Sequence, residues 1–171
     1  AYPRGVYFRG TSHLEIQVPL HIDLGPIKVQ GLTIAVTPSG DGLPIDIGAT
    51  LKAELGPLVA VVENIGLRTD LAFPGSGGNL GPLDLSFGFK PPNGIGLSID
   101  AGVVKGGGYL FIDPDRGEYA GALELRILDF LTVAAIGVIS TKMPDGSKGF
   151  SFIAIIAVEF NPGLQLGFGF T

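Results

Sequence analysis

The sequence predicts an all-β fold: an antiparallel meander of about ten strands, arranged as a bent sheet or a β-sandwich, with repeat-like features. Three observations predict it. Apolar residues recur with a period of two along most of the chain, the stretches are separated by turn-forming clusters, and no segment combines helical periodicity with a cap and a stop. The 28 glycines and 13 prolines fall mostly in those turns, or inside strands where glycine permits sharp bending.

The first element runs from His13 to Leu24. Leu14, Ile16, Val18, Leu20, Ile22 and Leu24 alternate with polar residues, so one face meets a core and the other meets water. Pro19 cannot donate to a ladder, which places this strand at an edge or gives it a local break. Ile27–Thr37 follows, then the turn-rich loop Pro38–Gly42. Ile45–Leu55 alternates again, and Leu58–Val62 and Ile65–Phe73 come next, closed by the loop Pro74–Asn79. Leu83–Phe89 alternates strictly and stops at Pro91-Pro92-Asn93-Gly94.

Two hairpins are well specified. Tyr109–Ile112 and Tyr119–Leu128 flank Asp113-Pro114-Asp115-Arg116-Gly117, where Pro114 presets φ and Gly117 suits a left-handed bulge position. Leu131–Thr141 and Phe150–Phe160 flank Met143–Ser147. Leu164–Phe170 then alternates to the end. Leu24-Gly25-Pro26-Ile27, Leu55-Gly56-Pro57-Leu58 and Leu80-Gly81-Pro82-Leu83 share one pattern, read either as a recurrent corner or as a degenerate β repeat.

The last strands differ from the first. Leu131–Ile139 and Phe152–Val158 are apolar at successive positions, hence apolar on both faces. A strand of that kind has to be covered on both faces. With no helix to do so, the cover is a second sheet, another subunit or lipid. Val133, Ile136, Val138, Phe152, Ile155 and Ile156, with Leu166, Phe168 and Phe170 from the terminal stretch, form the expected ligand or assembly surface.

Composition excludes several classes. A length of 171 residues suits one domain, or one sheet cut from something longer. Charged residues make up 16%, below the roughly 25% usual for soluble domains, and hydrophobic residues 46%. A net charge of −5 without a basic patch argues against nucleic acid and anionic lipid surfaces. Without cysteine there is no disulfide framework, no thiolate chemistry and no cysteine-based zinc site. The compartment stays open, with an extracellular or cell-envelope setting slightly favoured. The chain starts at Ala1 rather than Met, which points to processing or excision, and no apolar run approaches the ~20 residues of a membrane helix.

A search for chemistry returns little. His13 and His21 are eight residues apart on one strand, about 27 Å, too far to share a metal or a proton. His21 and Asp23 are near neighbours and read as a solvated strand face. Asp113, Asp115 and Glu124 match positions of a calcium loop, but Glu118 stands where that loop requires glycine. Gly106-Gly107-Gly108 precedes a strand rather than a helix N-terminus, so it lacks a phosphate cradle. No serine has the elbow or the histidine of a hydrolase. The expectation is a protein without catalytic residues, cofactor or metal.

Phe89-Lys90-Pro91-Pro92-Asn93-Gly94-Ile95-Gly96-Leu97, Gly106-Gly107-Gly108-Tyr109-Leu110, Gly117-Glu118-Tyr119-Ala120-Gly121-Ala122-Leu123 and Leu164-Gln165-Leu166-Gly167-Phe168-Gly169-Phe170 carry a resemblance. From Pro82 onward the chain resembles a domain-of-unknown-function family found in large bacterial proteins. The resemblance implies excision from a larger β-rich protein and transfers no functional residue. Three functions are consistent with the whole. The first is a structural or assembly module that packs apolar sheet faces and open edges against copies of itself or further sheet of the same protein. The second is a carrier of lipid or another apolar ligand, and the third an outer-membrane-type barrel, whose strands have the right length.

Overall fold

Alternation at this density leaves the backbone one way to satisfy its hydrogen bonds, a sheet ladder, and the protein is built of strands. The computed structural model describes residues 5–8, 13–38, 42–74 and 77–163, and no helix occurs among them. Eleven strands follow one another: β1 (Gly5–Phe8), β2 (Leu14–Asp23), β3 (Ile27–Val36), β4 (Gly42–Leu55), β5 (Leu58–Ala72), β6 (Asp84–Lys90), β7 (Gly94–Asp100), β8 (Val104–Asp113), β9 (Glu118–Ile127), β10 (Leu131–Lys142) and β11 (Lys148–Phe160). They belong to one sheet, ordered β1-β2-β3-β4-β5-β7-β8-β9-β10-β11, with β6 paired to β5 off that path. Among the described residues the path does not close into a barrel, and all eleven strands are hydrogen-bonded into that one sheet. The stretch Leu164–Phe170 lies outside the described residues.

The chain divides into two compact units, Ala1–Lys52 with Val62–Asn93, and Ala53–Val61 with Gly94–Thr171. In the first unit β2 pairs with β3 so that Leu14–Val36, Ile16–Ile34 and Val18–Leu32 share one face, and Glu15–Ala35 and Gln17–Thr33 the other. The expected break at Pro19 is present, and β1 pairs with the other side of β2 over Leu14–Gln17, short of Pro19. Between Pro19 and Ile22 the register shifts, with Ile22 opposite Val29. A bulge of one residue exchanges the faces. Ile22 therefore leaves the face of Leu14, Ile16 and Val18, and the expectation of one apolar face over the whole strand is corrected there.

In the same unit β6 pairs with β5, placing Leu67–Phe89, Thr69–Phe87 and Leu71–Leu85 on one face. β5 is continuous where the sequence suggested two strands. The interruption at Glu63-Asn64 is a local kink: Asn64 takes φ of +58°, a region asparagine tolerates better than most residues, so the strand bends there and continues.

In the second unit β7 to β11 form four successive antiparallel hairpins. Period-two reading missed β1 and, in this unit, β7. Its apolar positions Ile95, Leu97 and Ile99 are few and flanked by glycine. The Pro114 turn closes with Gly117 donating to Pro114 O at 3.2 Å and Arg116 N to Asp113 Oδ1 at 2.9 Å. The Met143–Ser147 turn closes with Met143 donating to Ser147 O at 2.9 Å.

The three Gly-Pro corners behave alike. Gly25, Gly56 and Gly81 have φ of +83°, +63° and +79°. Leu24 N donates to Ile27 O, and Leu80 N to Leu83 O, both at 2.9 Å. Glycine at the first central position and proline at the second is the residue pattern of a tight hairpin turn. The shared sequence pattern encodes a shared turn.

The packing departs from that of an ordinary domain. Among the described residues no hydrophobic side chain is fully buried, and the one buried charged side chain is Lys90. Strands this apolar usually surround a dry core, and here the apolar side chains line open sheet faces.

Candidate functional site

Residues paired across a sheet point to the same side, so the registers of β7–β11 assign every side chain to a face. Val104, Ile127, Leu131 and Phe160 form one row across the strands. Two residues along lie Ile99, Gly106, Leu125, Val133 and Val158, then Leu97, Gly108, Leu123, Ala135 and Ile156. Ile95, Leu110, Gly121, Gly137 and Ala154 follow, and Ile112, Tyr119, Ile139 and Phe152 complete the face. None of these residues is charged, and the Tyr119 hydroxyl is the single polar side-chain group. At ~3.4 Å per residue and ~4.8 Å between strands the face measures about 27 Å by 19 Å.

The opposite face is mixed. Its first row reads Asp100, Lys105, Arg126, Thr132 and Glu159, and its last Asp113, Glu118, Ser140 and Ser151. Between them run a row with Ser98, Glu124 and Ala134 and two apolar rows that contain Tyr109, Ile136 and Ile155, and Phe111, Val138 and Ile153. Lys105 and Asp100 approach to 3.5 Å, and Arg126 and Glu124 to 4.0 Å.

The expected surface residues divide between the two faces. Val133, Phe152 and Ile156 lie on the uncharged face, and Ile136, Val138 and Ile155 on the mixed one. Leu166, Phe168 and Phe170 lie outside the described residues. Exposure is high on both sides of β11, at 69% for Ile156 and 68% for Ile155. Sequence reasoning missed the contributions of β7, β8 and β9, among them Leu97, Leu110, Leu123 and Leu125. The signal available was their alternation, which matches that of β10 and β11 once the turns fix the register.

Relief on the uncharged face is uneven. Gly121, Gly137 and Ala154 stand side by side on β9, β10 and β11. They make a shallow valley across the strands, between the row of Tyr119, Ile139 and Phe152 and that of Leu123, Ala135 and Ile156. At one end of the face the Phe130 and Phe160 rings meet edge to face, 5.7 Å apart.

The other distinctive cluster is polar and belongs to the first unit. Arg68 Nε and Nη2 donate to Asp46 Oδ1 and Oδ2 at 2.8 and 2.9 Å. That pair of hydrogen bonds, with the positive charges of Arg68, Lys90 and His13, outweighs partial burial and holds the Asp46 carboxyl below its usual range. Lys90, only 8% exposed, donates to Asn64 O and Asn93 Oδ1, both at 2.8 Å. Asn93 N in turn donates to Glu63 O at 2.9 Å. The arrangement ties Lys90 and Asn93, which flank the Pro91-Pro92 turn, to the kink in β5. It is a structural lock.

The residues considered for ion binding are dispersed. Glu124 lies six residues along β9 from Glu118, the partner of Asp113, a separation of about 20 Å. Asp113 instead receives Arg116 N and lies 3.8 Å from the Arg116 guanidinium. His13 Nδ1 lies 2.7 Å from Thr37 Oγ1 and its Nε2 3.4 Å from Glu15. His21 sits in the β2 bulge. Among the described residues no three His, Asp or Glu side chains converge as a metal site. Gly106-Gly107-Gly108 lies inside β8, paired on both sides.

Residues 20–171 match a family of unknown function, DUF6603. The chain belongs to this family. The DUF6603 match reaches well beyond the C-terminal half in which the resemblance was first evident, taking in the Asp46–Arg68 pair, the β5 kink and the whole of β7–β11. The polar lock and the uncharged face are therefore both inside the DUF6603 region. No curated protein and no solved structure shows a significant match to the chain.

Proposed function

We propose that this chain is a non-catalytic packing module, whose uncharged β7–β11 face is covered by another apolar sheet, from the same larger protein or from another copy. The observation that carries this reading is the absence of charge from five successive rows across β7–β11. About 500 Å² of apolar surface left in water costs on the order of 10 kcal/mol at ~25 cal/mol per Å². That is comparable to the whole stability of a domain.

A second reading is favoured by one feature. The Gly121–Gly137–Ala154 valley crosses three strands, walled by Tyr119, Ile139 and Phe152 on one side and by Leu123 and Ile156, with a gap at Ala135, on the other, and it supports a carrier of apolar ligands. Native mass spectrometry of the purified chain, with lipid extraction from the same sample, separates the two. Lipid-free assemblies are expected. A monomer bearing acyl-chain masses would overturn the packing module in favour of the carrier.

A further inference from the structure

We infer that the cover of the uncharged face is a second copy of this chain, the two β7–β11 sheets stacked with that face inward about a two-fold axis. The inference rests on the packing reading above and names its partner. Dimensions are the first argument. A helix, 10–12 Å across, would cover about half of a face ~19 Å wide, and one acyl chain less still. A second sheet spans the whole β7–β11 width, since sheets stack face to face at about 10 Å. Two copies together would remove about 1,000 Å² from water, the size at which specific interfaces begin.

Charge is the second argument. Two-fold stacking sets the same patch against itself, so any charge on it would be buried, often near its own copy. The β7–β11 face carries none. The opposite face would bury the row of Asp100, Lys105, Arg126 and Glu159 and fails this condition. Relief is the third. Leu110 and Phe152 lean over Gly121 and Gly137, whereas Ala135 leaves a dip in the Leu123 row, so the face carries low relief that a second copy can match.

Sedimentation velocity of the intact chain across a wide concentration range tests this. A reversible monomer–dimer equilibrium is expected. Leu123→Lys, at the centre of the face, should weaken it by about tenfold or more. Ile136→Lys, on the opposite face of the neighbouring strand, should leave it unchanged. Leu123 and Ile136 are 41% and 59% exposed, so neither lysine replaces a core side chain. If circular dichroism shows Leu123→Lys unfolded, Phe152→Lys at the margin of the same face takes its place. Dissociation by Ile136→Lys and not by the uncharged-face variants would overturn the dimer while leaving a packing module. A lipid-free monomer at every concentration would overturn the dimer and assign the face to sheet elsewhere in a larger protein. A lipid-loaded monomer would overturn both.

Discussion

Asn64 Oδ1 occupies the space that a side chain on Gly48 would need. A Cβ added to Gly48 would fall within bonding distance of that oxygen, and Asn64 Oδ1 is itself buried without a hydrogen-bond partner among the described residues. The kink in β5 thus presses its amide onto β4, and glycine at position 48 is what makes the approach sterically allowed. Gly48→Ala should destabilise the protein by about 1–3 kcal/mol, the usual cost of overpacking. Asn64→Gly keeps the left-handed backbone and removes the orphaned acceptor, so it should rescue Gly48→Ala. A double-mutant cycle from urea melts should show coupling of about 1 kcal/mol or more; additive effects would mean that the contact is absent in solution.

Lys90 holds the same kink from β6 through Asn64 O and Asn93 Oδ1. Lys90→Met keeps most of the stem and removes the donors, leaving two acceptors to find new partners. A loss of about 1–3 kcal/mol in unfolding free energy is expected. Unchanged stability would show that water replaces the ammonium without penalty.

The Asp46–Arg68 pair makes a prediction about pH. Arg68 holds the Asp46 carboxyl below its ordinary value in the folded protein. The group's contribution to stability is therefore present above the unfolded-state value of about 3.9 and is lost as pH falls through the lower folded value. Thermal melts should show the wild type losing stability more steeply below about pH 4 than Asp46→Asn. Because the pair is partly exposed, Asp46→Asn should cost only about 1 kcal/mol at neutral pH. Parallel acid profiles for the two proteins would refute the assignment.

Leu128 and Asp129 turn β9 into β10 with φ of +52° and +51°, and Phe130 N closes the turn on Ile127 O at 3.0 Å. Two left-handed residues define the hairpin turn that favours Asn-Gly, and leucine is poorly suited to its first position. Leu128→Asn should therefore stabilise the protein by up to about 1 kcal/mol. Hydrogen exchange of the β9 and β10 amides should slow in step. A destabilised variant would show that Leu128 contributes packing not evident from its exposed side chain.

Legibility followed the range of the interactions involved. Leu83–Phe89 and the Asp113–Gly117 turn were readable because both depend on residues a few positions apart. The break at Pro19 was readable for the same reason, but its consequence was not: the extra residue moves Ile22 to the other face, and that depends on Val29 across the ladder. β7 escaped notice because its three alternating apolar residues gain support only across the ladder, from Gly106, Gly108 and Leu110 on β8 and from β5 on its other side. Lys90 looked like one more charge before a turn, and only the approach of β5 gives it a role.

Alternation and turn chemistry alone determined that this protein is a sheet, roughly how many strands it has, and that its C-terminal strands are apolar on both faces. Tertiary structure decided which of those apolar residues act together. Val133 and Ile136 are three positions apart in one strand, and Phe152 and Ile155 in the next, yet each pair is split between opposite faces. A strand pattern with a period of two assigns sides only relative to its own chain. The cross-strand register, set by turns and bulges, joins those sides into one face free of charge and another edged by it.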